Sequence, residues 1–304
     1  MIDERMWRSV VDMSIDRLTF CGNVFGSLEL FIENNEYIKR KGFAKYPYRD
    51  TIHFIDGSVL QIAELEVVRA GRIKQLRYEF NPNNGMYDKV HMSVMKLMKD
   101  IHMTRCDIAM DVRGVDMSGW KWFDRLSRPQ QHYVSGTGKM ETVYIGGKHS
   151  ELVLRIYDKA KEQYNKMKGV RGKTDELKEF VADRKKDLWW RVEVQLRGEW
   201  AEHFRLWSRQ GAPPMNPFDD VAPLLMNTSK IRELPIKERA MVKELLMEPS
   251  SWDELSKATR AKYKKMIREL DEKESKKVID LKSLWNEKSS DVASELQTWC
   301  SWAK

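Results

Sequence analysis

The segment "LVLRIYDKAKE" places an arginine, a tyrosine and a lysine at every second position, as Arg155, Tyr157 and Lys159. Side chains of an extended strand alternate between faces, so these three project together while Ile156 and Asp158 project the other way. A phenol between two cations suits attack on a phosphodiester, with the tyrosine oxygen as nucleophile and the cations holding the phosphate. An unperturbed phenol titrates near pH 10, so only about one molecule in a thousand is ionised at neutral pH. The flanking cations, and a divalent metal nearby, would favour the phenolate. The same spacing also fits a second reading, in which Tyr157 is a β-forming residue among surface charges.

Carboxylates recur at strand centres. In "CDIAMDV" the period of two puts Asp107 and Asp111 on one face, and in "WRVEVQLR" it groups Arg191, Glu193, Gln195 and Arg197. A carboxylate in mid-strand is costly unless its face is solvated, paired or holding a cation. Two explanations are open: cross-strand Arg–Glu pairs on a wet face, or an oxygen-donor site for Mg²⁺ or Mn²⁺. The six histidines include no His-x-His or His-x-x-x-His pair, which argues against zinc. No phosphate-cradling loop of the full Gly-x4-Gly-Lys-Ser/Thr pattern is present, and the glycines of "YIGGKHS" read as a hairpin bend.

The elements that must position these groups are strands in the first two thirds of the chain. "IDRLTFCG", "QLRYEFNP", "TRCDIAMDV" and "LWWRVEVQLRG" alternate as strands, and "TIHFIDGSVLQIAEL" reads as a hairpin turning at Asp56-Gly57. "TVYIGGKHSELVLRIYDK" is a second hairpin. Residues 86 to 103 carry Val90, Val94, Leu97, Met98 and Ile101 at helical spacing, and "SGWKWFDRLSR", "EQYNKMKGVRGKTDELKEFVADRKKD" and "EWAEHFRLWSRQ" also read as helical. An aspartate-bearing strand opens, and an Arg-x-Glu strand closes, each of two halves, which suggests duplicated strand-helix-strand units. The expected fold is α+β, with a central antiparallel sheet and a smaller helical domain at the C-terminal end. "QGAPPMNPFDDVAP" breaks the periodicity and serves as a linker. The division is then 1–210 for a catalytic domain, 211–223 for the linker and 224–304 for the helical domain.

In that last region "SSWDELSKATRAKYKKMIRELDEK" opens with a capping box, Ser251 with Glu254. Trp252, Leu255, Tyr263, Met266 and Leu270 share one helix face; Lys257, Arg260, Lys264 and Arg268 take the opposite one. The formal charge of +8 over 304 residues points to a polyanionic partner. The basic face is the candidate DNA contact, through phosphates. Trp299 and Trp302 are expected to pack. Three widely spaced cysteines suggest a reducing compartment. "MIDERMWRSVVDM" lacks the apolar core of a signal peptide, and no run approaches a membrane span. A cytoplasmic protein without membrane contact is expected.

"TRCDIAMD", "ETVYIGGKHSELVLRIYDKAKEQ" and "WWRVEVQLRG", in that order, resemble the replication initiation factor family, and "IDRLTF" and "LRYEFNPN" fit it too. Its members include rolling-circle Rep proteins of small Gram-positive plasmids and relaxases of some integrative conjugative elements. The resemblance covers roughly residues 14 to 205. It implies that Tyr157 nicks one strand at a hairpin of the double-strand origin, leaving a 5′-phosphotyrosine and a free 3′-OH. It further implies a fold distantly related to the HUH endonucleases and a divalent metal, Mg or Mn. The matching positions for that metal are Asp107, Glu193 and Glu141, with Asp111 in reserve. A homodimer and a host helicase partner are implied as well. The expected function is a rolling-circle initiator. A conjugative relaxase of the same family and a non-catalytic DNA-binding regulator are the alternatives.

Overall fold

Alternating side chains that send one face to a core and the other outward produce most of the strands. The computed structural model describes residues 11–45, 48–67, 71–84, 88–136, 139–168, 188–224, 233–247, 249–271 and 279–301, together with Asp175, Glu179 and Ile231. It is an α+β protein. β1 (Val11–Val24), β2 (Ile38–Phe43), β3 (Asp50–Phe54), β4 (Val59–Val67), β5 (Gly71–Phe80) and β6 (Met98–Arg113) come first. β7 (Lys121–Asp124), β8 (Gln130–Val134), β9 (Met140–Ile145), β10 (Leu152–Asp158), β11 (Trp189–Arg197) and β12 (Val221–Leu224) follow. Ten of them form one antiparallel sheet in the order β2-β3-β4-β5-β1-β6-β11-β10-β9-β8, and β12 pairs with β7. The described helices are α1 (Leu28–Asn34), α2 (Asp88–Lys96), α3 (Lys159–Lys168), α4 (Gly198–Ser208), α5 (Ile236–Met247), α6 (Lys257–Asp271) and α7 (Leu281–Cys300).

The chain divides into two compact units that are interleaved in sequence. One gathers Met110–Glu193 and Met215–Glu287; the other gathers Met13–Ala109, Val194–Pro214 and Lys288–Lys304. Each therefore takes segments from both sides of residues 211–223.

In the second of these, β1 and β5 pair Leu18 with Phe80 and Phe20 with Tyr78 on one face, and Thr19 with Glu79 and Cys21 with Arg77 on the other. The apolar face is the core. Phe80 lies 5.0 Å from the His91 ring of α2 and 5.6 Å from Trp299 of α7. Trp299 is thus a packing residue, as its spacing suggested; Trp302 lies outside the described residues. The turn at Asp56-Gly57 forms as expected, with Gly57 at φ +85° and Asp56 Oδ1 accepting the Ser58 N–H at 2.8 Å.

Two segments differ from the helices their spacing predicts. α2 stops at Lys96, and Met98 already begins β6. Over so short a window a spacing of three or four residues overlaps with alternation, and sheet pairing decides in favour of the strand. "KWFD" forms β7, because Val221–Leu224, nearly a hundred residues on, pairs with it. Beyond Lys168, the polar stretch read as helical lies outside the described residues apart from Asp175 and Glu179.

In the first unit Trp252, Tyr263 and Ile267 pack with Phe123, Val242, Leu245 and Leu246, and Leu255, Met266 and Leu270 lie against them. The apolar face read from sequence is therefore the buried face. The cap is different: α6 starts at Lys257, and Ser256 Oγ accepts the Thr259 N–H at 3.2 Å. Ser251 sits in the short 3-10 turn Pro249–Trp252 and donates to Glu244. Trp252 Nε1 bonds Leu245 O at 3.0 Å, which anchors that turn before the helix begins. Ser256→Ala is expected to cost about 1 kcal/mol while Ser251→Ala costs less, measured by urea denaturation.

Candidate active site

The hairpin β9–β10 holds the site. Gly146 turns it at φ +111°, and a Cβ there would meet Leu152 O at 2.6 Å, so only glycine fits. The glycines of "YIGG" therefore make the bend, as read from sequence. Arg155 pairs with Tyr144 and Tyr157 with Thr142, which places all four side chains on one face; Ile156 and Val143 take the other. Lys159 opens α3 and no longer follows the strand alternation, yet its Nζ lies 3.5 Å from Tyr157 Oη.

Tyr157 is 2% exposed, and its hydroxyl donates to Glu193 Oε2 of β11 at 3.4 Å. Arg155 Cζ sits 4.0 Å over the Tyr157 ring, and its Nη1 is 3.8 Å from the same Glu193 oxygen. The buried Nε of Arg155 has no acceptor among the described residues. Lys159 also pairs with Glu162 at 2.7 Å, and Glu162 with Lys166 at 2.7 Å. Burial opposes the Glu162 charge, but the hydrogen bonds from both lysines hold its carboxyl below the usual range.

The electrostatics run against the phenolate expected from the flanking cations. Burial pushes the Tyr157 phenol well above its ordinary value, and the Glu193 carboxylate adds in the same direction. Arg191 and Arg155 offset only part of that. The resting tyrosine is a neutral phenol with a carboxylate beside it. Such a pair favours transfer of the proton to a base during attack over a preformed anion.

The carboxylates proposed from sequence are separately engaged. Asp107 lies in the unit containing β1 and β5, where Arg105 grips it at 2.7 and 2.6 Å and Arg17 Nε is 3.9 Å away. Glu141 alternates with Thr142 and so takes the sheet face away from Tyr157, where Lys161 pairs with it. Asp111 is bidentate with Arg191 at 2.7 Å for each bond. Of the three candidates in the unit that holds Tyr157, Glu193 is the one that its hydroxyl bonds. Among the described residues no group of three or more His, Cys, Asp or Glu is arranged to hold a metal ion. Asp111, Glu141 and Glu193, the candidates in the unit that holds Tyr157, do not converge into a metal cage.

Two members of the site were not read from sequence as such. Tyr144, with the Arg155 Cζ 5.6 Å from its ring centroid, could have been found by counting back across the Gly146 turn. Glu162 had no local signal. The basic residues of α6 line one side of that helix. Lys257 and Arg268 are exposed, Arg260 and Lys264 half-buried, and Lys264 Nζ donates to Arg125 O at 2.8 Å.

Fold and site together define an α+β protein whose sheet presents a buried tyrosine to a carboxylate and two cations. Residues 124–280, more than half of the chain and inclusive of Tyr157 and Glu193, match the model of the family described as replication initiation factor. The chain belongs to that family. Three curated proteins of Staphylococcus aureus named "Replication initiation protein" are 25%, 28% and 25% identical to it over 74% of this chain. The matches cover 64%, 62% and 65% of those proteins, so the chain spans less than two thirds of their length. No helix among the described residues is long and apolar enough to cross a membrane.

Proposed function

We propose that this protein is a rolling-circle plasmid replication initiator that nicks one DNA strand through Tyr157. The observation that carries this reading is the Tyr157 hydroxyl, 3.4 Å from Glu193 and 3.5 Å from Lys159 Nζ, inside the stretch that matches the family. In the proposed step Tyr157 Oη attacks the scissile phosphorus as its proton passes to Glu193. The bond from phosphorus to the 3′ oxygen breaks. That oxygen takes up a proton and leaves as the free 3′-OH primer, while the 5′ phosphate stays on the tyrosine. Arg155 turns from the phenol ring toward the phosphate, bringing its unpartnered Nε–H with it, and Lys159 holds a second non-bridging oxygen.

The origin hairpin as substrate, a homodimer, a host helicase partner and a cytoplasmic location belong to the same proposal. So does contact of the α6 cations with origin duplex. Divalent metal dependence enters as an expectation with its own readout. Incubated with a single-stranded origin hairpin, the chain is expected to gain the mass of the 5′-phosphoryl fragment; a gain with Mn²⁺ that EDTA removes would mark metal dependence. An unmodified mass under both conditions overturns the nicking reading.

A further inference from the structure

The loop that follows β7, "DRLSRP", is built more tightly than a connecting turn requires. The Asp124 carboxylate, fully buried, accepts the N–H groups of Leu126 and Arg128 at 3.3 and 2.6 Å, and Arg128 Nε and Nη2 at 3.0 and 2.8 Å. Arg125 N donates to Asp220 O at 2.9 Å, and Ser127 sits at φ +54°, uncommon for a residue with a side chain. This frame holds Arg125 exposed and leaves Leu126 59% exposed. Lys264 fastens the loop to α6 through the Arg125 carbonyl, 139 residues away in sequence.

The result is a crowd of like charges. Burial, then the neighbouring Arg260 and Arg268, push the Lys264 ammonium down, and Asp124 only partly opposes them. Arg260 Nε is buried with no acceptor among the described residues. Holding these cations together is unfavourable until a polyanion completes the surface. The exposed Leu126, next in sequence to the Arg125 that Lys264 holds, points beyond a simple inorganic anion. Single-strand binding would call for an aromatic stacking platform, whereas the adjacent Trp122 and Phe123 are buried. A helix with a protruding basic loop beside it matches the way duplex is gripped, and an apolar side chain next to arginines is a groove contact.

We propose that the loop Arg125–Arg128 is a second limb of a duplex-binding surface, with Arg125 against a phosphate and Leu126 in apolar contact in the groove. This rests on the reading of α6 as a duplex-binding helix and extends it to an element that the spacing of α6 does not reveal. Asp124 acts as a positioning residue.

The test uses the full chain and a fluorescent 30-base-pair duplex of random sequence, titrated by anisotropy across a salt series. Arg125→Ala is expected to weaken binding and to reduce the slope of log affinity against log salt by about 0.9, the value for one lost phosphate contact. Leu126→Ser is expected to weaken binding several-fold with the slope unchanged. Lys39→Ala, on the exposed β2 strand, removes the same charge and is expected to do neither. Asp124→Asn raises the net charge, so the field alone would tighten binding; a positioning role weakens it, with thermal melting to confirm that the variant folds. An unchanged slope for Arg125→Ala, equal losses for Arg125→Ala and Lys39→Ala, or tighter binding by Asp124→Asn overturns the proposal. The triple variant Lys257→Ala, Arg260→Ala, Arg268→Ala judges α6 separately. If it alone weakens binding, only the loop inference fails; if it leaves binding intact, the α6 reading fails.

Discussion

Tyr157→Phe is expected to abolish covalent attachment to a single-stranded origin hairpin, a loss of roughly 10⁴-fold or more, since no other group replaces a missing nucleophile. The substitution removes one oxygen and leaves the ring under Arg155, where the 4.0 Å cation–π contact persists. The fold and duplex binding are therefore expected to survive, which separates lost chemistry from lost structure. Alkaline unfolding supplies an independent check on the environment of the phenol. Because the folded phenol titrates above its ordinary value, its stabilising contribution is complete below about pH 10 and is lost as pH rises beyond that. The phenylalanine variant is thus expected to unfold at higher pH than the parent, followed by far-UV circular dichroism. A variant that still links to DNA places the nucleophile elsewhere and ends the proposal.

Glu193→Gln is expected to slow adduct formation about 10²- to 10⁴-fold, the range for loss of a positioned general base. The shape of the pH profile matters more than the size of the loss. Without the carboxylate, reaction waits for the phenolate, so the residual rate should climb about tenfold per pH unit between roughly pH 7 and 9. The parent, with its base in place, should be flatter over the same range. A role limited to metal binding makes a different prediction: the variant would recover with added Mn²⁺ and keep the parent's pH profile. Single-turnover adduct formation at several pH values and Mn²⁺ concentrations distinguishes the two.

The strands were legible wherever one face meets a core. Leu18 and Phe20 alternate with Thr19 and Cys21, and the same rule puts Arg155 and Tyr157 on one face. Turns with a steric demand, at Gly57 and Gly146, were equally plain. β7 was not, because four residues acquire strand character only when β12 pairs with them from far along the chain. The start of α6 was misplaced for a related reason. Ser251 and Glu254 have capping-box spacing, but the bond from Trp252 to Leu245 draws that stretch into a separate turn.

The sequence by itself determined the hairpin, the shared face of Arg155 and Tyr157, the buried face of α6 and the resemblance to the replication initiation factor family. These depend on neighbouring residues, where backbone geometry turns spacing directly into direction. Only the tertiary structure decided which carboxylate meets the tyrosine. Asp111 and Glu141 carry the same charge as Glu193 and lie in the same unit, yet Arg191 and Lys161 engage them, and the phenol hydroxyl bonds Glu193. It also decided the state of that phenol, since burial outweighs the cations whose spacing had suggested a phenolate. Spacing along a strand fixes which way a side chain points, whereas its partner and its solvation come from segments that reach it only when the chain folds.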